Sequence, residues 1–160
     1  MSTQLKLASS LTIHLPKWLV DDIANGLVPE RLTTTEEQMR FAINLSFRNA
    51  EKNTGGPFGA VIVESATGII VGLGVNRVVP ESCSLMHGET TAIAMAQAAL
   101  GTFNLGGASM PAHTLITSAQ PCCMCCGATV WSGVTKLITG ASGADVETLT
   151  GFDESPIHPD

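Results

Sequence analysis

The sequence predicts a single α/β domain in which helices cover a layered sheet. Its 160 residues suit one domain. Along the chain, one helical pattern precedes two strand-like runs, and strands then alternate with helices, an order typical of this class. No internal repeat, low-complexity tract or interdomain linker divides the chain. With 44% hydrophobic and only 14% charged residues, part of the apolar surface is expected to lie in a subunit interface.

The chain is predicted to begin with an N-terminal arm, residues 1–33, ahead of the main domain, residues 34–160. A short helical piece is expected in the arm, through Trp18, Leu19 and Ile23. No apolar run approaches the roughly 20 residues needed to span a bilayer. The first residues also lack a convincing cleavage site, so no signal peptide is expected.

The main domain is predicted to open with a helix, because Thr34 and Glu37 have the spacing of a capping box. One apolar face of that helix is expected to combine Met39, Ala42, Ile43, Phe47 and Ala50. The other elements are predicted as strands at residues 58–63, 69–75, 113–117 and 136–139, and as helices at residues 86–100, 122–131 and 144–149.

The charge of the chain argues against a nucleic-acid substrate. The formal net charge is −6, and the eight Lys and Arg residues are scattered along the sequence. A protein that binds a nucleic-acid strand needs a basic path along the phosphates. A small neutral substrate is therefore favoured, and no nucleic-acid or membrane partner is expected.

The cysteines indicate metal binding in a reduced compartment. Of the five cysteines, four lie within residues 122–126 and Cys83 stands alone. Such crowding and the odd count do not suit a disulfide framework. A cytoplasmic protein that holds a metal ion is the better interpretation.

Two short motifs carry the expected chemistry, His87-x-Glu89 and Cys122-x-x-Cys125. One imidazole and two thiolates supply three zinc ligands and leave the fourth tetrahedral position for water, as catalytic rather than structural zinc sites do. Glu89, a carboxylate beside the histidine, is suited to moving protons. Both motifs are predicted at helix starts, where the positive end of the helix dipole favours thiolates.

Spacing alone does not choose between two C-x-x-C pairs, Cys122 with Cys125 and Cys123 with Cys126. Pro121 favours the first pair, because its fixed φ suits a helix start and places Cys122 just inside the first turn. The second pair is then expected to consist of buried thiols.

Two alternatives to a catalytic site remain open. A structural zinc site would need a fourth ligand, which Cys83 or His113 would have to supply. A redox C-x-x-C would not require His87-x-Glu89. Catalytic zinc accounts for both motifs together.

With these residues in view, the chain resembles the cytidine deaminase superfamily and, within it, the bacterial guanine deaminases. The H-x-E and P-C-x-x-C motifs match the signature of zinc nucleobase deaminases. The similarity runs from about residue 15 to residue 156. The segments that carry it are residues 55–63, 76–79 and 121–131 and the acidic stretch 151–154.

The resemblance implies a three-layer α/β/α fold with a central mixed sheet of about five strands, and a homodimer. It implies zinc bound by His87, Cys122 and Cys125, with Glu89 as the proton shuttle. It also implies substrate contacts: Asn76 hydrogen-bonds the base, Phe58 and Trp131 line the pocket, Gly88 offers its backbone amide, and Glu154 reads the purine and assists proton transfer.

The function implied by the resemblance is hydrolytic deamination of a free nucleobase, foremost guanine to xanthine and ammonia. Gly88 stands where alanine is commoner in the family, and Gln120 stands where glutamate often precedes the Pro-Cys. The family's C-terminal strand and helix are expected to be absent. The alternatives are the same reaction on cytosine, a nucleoside or an amino-triazine, and a zinc-stabilised module without catalysis.

Overall fold

The computed structural model describes residues 7–152, which form one mixed sheet with helices on both faces. Within these residues no helix combines the length and hydrophobicity that crossing a bilayer requires. The helices are α1 (Lys17–Ala24), α2 (Thr35–Glu51), α3 (Val78–Glu81), α4 (Gly88–Leu100), α5 (Cys123–Ser132) and α6 (Gly143–Thr150), and the strands are β1 (Gly59–Glu64), β2 (Ile70–Val75), β3 (His113–Ala119) and β4 (Lys136–Ala141).

The strand order is β2-β1-β3-β4. Strand β1 is antiparallel to both β2 and β3, while β3 and β4 are parallel. The described part of the chain therefore has four strands where the resemblance implied about five. The predicted α/β class is confirmed, and every predicted helix and strand is present. The structure also contains the short helix α3, which was not predicted from the sequence.

Strand β1 is buried on both faces, and its alternating side chains separate two cores. Val61 and Val63 pack with Leu19 of α1 and Leu45 of α2. On the opposite face the core is formed by Ala60, Ile62, Ala92, Ile93, Ala96, Leu105 and Leu115. Helices α1 and α2 thus cover one face and α4 the other, which confirms the three-layer α/β/α arrangement.

Helix α2 begins with the predicted capping box, in which Thr34 Oγ1 accepts from the Glu37 amide and Glu37 accepts from the Thr34 amide. The predicted apolar face was confirmed at Ala42, which is buried, and at Met39, which packs against the core. It was wrong at Ile43 and Phe47, which are 50% and 62% exposed. The buried positions are Gln38, Ala42, Leu45 and Asn49. Two of these are polar, and hydrogen bonds to backbone carbonyls compensate for their burial.

Helix α4 lies unusually close to β2 because glycines face it. A Cβ on Gly74 would lie 2.0 Å from the carbonyl oxygen of Gly88, and one on Gly72 would lie 2.5 Å from that of Ala92. Real side chains cannot approach backbone so closely, so glycine is required at both strand positions. The contact sets the depth of the first turn of α4, which carries the candidate site.

The predicted arm packs against the domain. Leu19 is fully buried in the core, and Leu32 is 6% exposed beside it. The guanidinium of Arg48 lies 4.4 Å from the ring centroid of Trp18 and pairs with the carboxylate of Asp22. Together these contacts tie α1 to the last turns of α2.

Candidate active site

Two helix starts converge at the edge of the sheet, as the motifs predicted. His87 is the N-cap of α4 and Cys122 the N-cap of α5, both with extended backbone. Cys122 therefore lies one residue before the helix, not inside its first turn as predicted. Ligand atoms of His87, Cys122 and Cys125 all lie within 4.8 Å of one another. His87 Nδ1 and Cys122 Sγ are 3.7 Å apart.

The structure also separates the two cysteine pairs. Cys125 is fully buried and faces His87, whereas Cys123 and Cys126 are exposed on the outer side of α5. The expectation that Cys123 and Cys126 are buried thiols was wrong. Each residue of a helix is turned by about 100° from the one before it, so the residue that follows a buried position can lie on the solvent-exposed face.

Glu89 is held by two hydrogen bonds that were not predicted from the sequence. Its side chain is buried, with Oε1 accepting from Thr117 Oγ1 at 2.9 Å and Oε2 accepting from Cys125 Sγ at 3.3 Å. Thr117 follows His113 and Leu115 on the α4 side of β3, so the two-residue alternation of that strand is the signal that identifies it.

The charges at this site suit a divalent cation. Burial raises the pKa of the Cys125 thiol, and the nearby carboxylate of Glu89 raises it further. A buried carboxylate beside two thiols is unfavourable without a compensating positive charge. One imidazole and two sulfurs are a donor set that zinc prefers, and the two helix N-termini add favourable potential for thiolates. The residues present therefore fit zinc.

A cavity of about 260 Å³ adjoins the ligand cluster. Its lining brings together two of the predicted substrate contacts, Phe58 and Asn76, with the ring of His87. The ring of Phe152 closes another side, with its centroid 6.2 Å from that of Phe58 and a tilt of 52°. The remaining lining residues, which the sequence analysis did not single out for this role, are Gly56, Val78 and Val79.

Asn76 presents one end of its amide to the protein. Its Oδ1 accepts from the backbone amides of Gly56 and Val78, at 3.3 Å each. The Nδ2 group has no protein acceptor within residues 7–152. Because Asn76 lines the cavity, this donor is suited to a bound molecule.

The other predicted site residues have different positions. Gly88 is buried in the first turn of α4, where backbone amides have no acceptor inside the helix. Trp131 is 87% exposed on α5 and is not part of the cavity lining, so its role in the pocket stays a prediction. Glu154 lies outside the described residues, two positions after Phe152.

The sequence model of the family described as "Cytidine and deoxycytidylate deaminase zinc-binding region" matches residues 32–141. The chain belongs to this family. The matched span contains His87, Glu89, Cys122 and Cys125, and it also contains Asn76.

Two bacterial guanine deaminases are similar to this chain. Guanine deaminase of Bacillus subtilis (strain 168) is 35% identical over 123 residues, which cover 77% of this chain and 74% of the relative. The solved guanine deaminase from Nitrosomonas europaea has a TM-score of 0.85 and 41% identity, covering 97% of this chain and 82% of that one. The protein NE0047, solved in complex with 2,6-diaminopurine, also has a TM-score of 0.85, with 43% identity and coverage of 94% and 77%.

Proposed function

We propose that the protein is a zinc-dependent hydrolase that converts guanine and water to xanthine and ammonia. The observation that carries the proposal is the convergence of His87, Cys122 and Cys125 with the buried carboxylate of Glu89 beside a base-sized cavity. The similarity to guanine deaminases of two bacteria supports the choice of guanine.

His87, Cys122 and Cys125 would hold the zinc. When bound in such a site, zinc acts as a Lewis acid and lowers the pKa of water from 15.7 to about 7. The protein's own contribution is to fix the three ligands at the starts of α4 and α5. His87 also lines the cavity, so a base bound there would lie next to the ligand cluster.

Glu89 is the proposed proton carrier. Oε1 accepts from Thr117 and Oε2 accepts from the Cys125 thiol. Oε2 would be free to accept the proton of the attacking water once the Cys125 sulfur, as a thiolate, binds the zinc. The same oxygen gives a proton to a ring nitrogen of the purine and later passes one to the departing ammonia. Water thereby supplies the oxygen of xanthine, and its protons leave on the product and on ammonia. General acid–base catalysis of this kind contributes about 10²- to 10⁴-fold.

Asn76 and two aromatic rings are proposed to orient the base. The Nδ2 group of Asn76 would donate to an acceptor on the purine edge, while the rings of Phe58 and Phe152 would contact its faces. Glu154 is proposed to read the purine and to assist proton transfer. Its place two residues after Phe152 in the chain supports this assignment.

The proposed assembly is a homodimer in the cytoplasm. Val130 and Trp131 are 77% and 87% exposed on α5, and large apolar side chains in such positions favour a subunit contact. All five cysteines are free, in keeping with a reducing compartment. Sedimentation of the purified protein measures its oligomeric state, and a monomer at micromolar concentration would contradict the proposed homodimer.

The activity is tested by ammonia release from the zinc-loaded protein. Guanine is compared with cytosine, cytidine, adenine, guanosine and ammeline, and guanine is expected to be the substrate. Glu89→Gln should keep its zinc and lose at least about 100-fold in kcat. Release from another amine would overturn the substrate. A lack of release from every amine would support a zinc-stabilised module instead.

A further inference from the structure

Asn49 is a fully buried polar residue on the core face of α2. Its Nδ2 donates to the carbonyl oxygens of Gly56 and Asn76, both at 2.8 Å. Its Oδ1 accepts from Thr54 Oγ1, also at 2.8 Å. One amide therefore joins α2 to two segments that line the substrate cavity, the loop before β1 and the segment after β2.

Thr54 extends this connection outward to the N-terminal arm. The indole Nε1 of Trp18 donates to Thr54 Oγ1 at 2.9 Å. The same hydroxyl has two acceptors on Asn49, the side-chain Oδ1 at 2.8 Å and the backbone carbonyl at 3.2 Å, and the shorter contact is to Oδ1. Acceptance there orients the amide of Asn49, so that Nδ2 faces the two carbonyls. The backbone carbonyl of Thr54 is in turn bound by the guanidinium of Arg77.

Gly55 allows the loop to come this close. It has a φ of +155°, and a Cβ at this position would lie 1.8 Å from the carbonyl oxygen of Asn76 and 2.7 Å from Asn49 Nδ2. The glycine therefore permits direct packing of the loop on the backbone of Asn76. This packing presents the Gly56 amide to Asn76 Oδ1.

Both the backbone and the side chain of Asn76 are thus fixed by groups that Asn49 holds in place. The carbonyl of Asn76 binds Asn49 directly, and its Oδ1 binds the loop that Asn49 also anchors. These contacts leave the Nδ2 group of Asn76 directed into the cavity. The hydrogen-bonded chain runs from Trp18 through Thr54 and Asn49 to Asn76.

We propose that Asn49 and Thr54 are positioning residues for substrate recognition, which act by holding the Asn76 amide in the orientation that donates to the base. The inference rests on the proposed function, since it assigns these residues to the binding of the same substrate. Neither residue borders the cavity itself, so each acts through Asn76.

Thr54→Val tests this with less risk to folding than a change of the fully buried Asn49. The hydroxyl is lost while the β-branched shape is kept. We expect kcat/KM for guanine to fall about tenfold, mainly through a higher KM. Thr54→Ser keeps the hydroxyl and should restore kcat/KM to within about twofold of the unmodified protein.

A double-mutant cycle with Asn76→Ala separates positioning from general stability. If Thr54 acts through Asn76, Thr54→Val should lower kcat/KM less than about twofold once Asn76 is alanine. An equal tenfold loss in both backgrounds would overturn the proposal. Thr135→Val is the matched control, because the Thr135 hydroxyl donates to the carbonyl of His113 at 3.0 Å, away from the cavity. It should leave kcat/KM unchanged even where the Tm falls.

A measurement without substrate keeps the inference independent of the reaction. Order parameters of the Asn76 side-chain amide, measured by NMR, should fall in Thr54→Val and recover in Thr54→Ser. Unchanged order parameters would overturn the positioning role, whatever the enzyme deaminates. The unmodified protein could fail to turn over guanine while Thr54→Val still lowers the order parameters of the Asn76 amide. That result would overturn the proposed substrate and support the positioning role of Thr54.

Discussion

Thr117 Oγ1 donates to Glu89 Oε1 across 2.9 Å and joins the end of β3 to the first turn of α4 inside the site. Thr117 is 1% exposed, so water does not reach this position, and loss of the hydrogen bond would leave a buried carboxylate oxygen unsatisfied. The position of the proposed proton carrier therefore depends on a strand residue outside both metal motifs.

Thr117→Val is expected to lower kcat by about 10- to 100-fold with a smaller change in KM, because a hydrogen bond to a charged group contributes about 1.5–3 kcal/mol. Steady-state kinetics with guanine measure this. Thr114→Val, in the same strand, removes a hydroxyl that binds Ser65 Oγ away from the site. It should leave kcat unaffected, and an equal loss in both variants would refute a specific role for Thr117.

Serine variants of the four cysteines at α5 are expected to fall into two groups that differ in zinc content. Cys122→Ser and Cys125→Ser should purify with far less zinc than the unmodified protein, because their sulfur atoms lie in the ligand cluster. Cys123→Ser and Cys126→Ser, whose side chains are exposed, should keep about one zinc per chain. Elemental analysis of the four variants decides the matter. Zinc loss in Cys123→Ser or Cys126→Ser would favour the alternative pair.

Gly74→Ala is expected to destabilise the protein by about 1–3 kcal/mol or more, because the new Cβ would meet the carbonyl of Gly88 at 2.0 Å. Any relaxation would displace the start of α4, so activity should fall as well. Gly127→Ala is the matched control within α5, where nothing lies within 4 Å of the new Cβ. It should raise stability by about 0.5–1 kcal/mol. Denaturant unfolding distinguishes the two outcomes.

Glu37 should make the stability of the protein depend on acidity. Hydrogen bonds from the backbone amides of Thr34 and Thr33 lower the pKa of Glu37 below its ordinary value of 4.5. A carboxyl whose pKa is lower in the folded state stabilises the fold above the ordinary value, and the effect is lost as the pH falls through the folded value.

The free energy of unfolding of Glu37→Gln should therefore lie below that of the unmodified protein at neutral pH. The difference should shrink as the pH falls below 4.5. Thermal unfolding across this range measures it. Glu36→Gln, which removes a charge from the same turn but breaks only the exposed pair with Arg40, controls for charge alone. A constant difference for Glu37→Gln at every pH would contradict the expectation.

The sequence predicted the ligand cluster of His87, Cys122 and Cys125, although the C-x-x-C spacing by itself fitted two cysteine pairs and Pro121 had to favour one of them. The helix and strand pattern likewise predicted the layered fold. The apolar period of α2 did not predict that Asn49 would be buried. Its burial is possible because its side-chain amide donates hydrogen bonds to two backbone carbonyls. Those carbonyls belong to Gly56 and Asn76, which lie outside α2, so the helical period does not contain them. For Thr117, the alternation of β3 indicates which face of the sheet it lies on, but the contact with Glu89 depends on how α4 packs on that face.

The opposite orientations of the cysteines at α5 would give a zinc-loaded protein a chemical indicator of its own metal state. Cys123 and Cys126 face solvent, whereas Cys122 and the fully buried Cys125 face the ligand cluster. An alkylating reagent would have access to the outward thiols in either state, whereas a bound zinc ion would protect the inward pair. The mass of the labelled chain would then report how many molecules in a preparation are competent for catalysis.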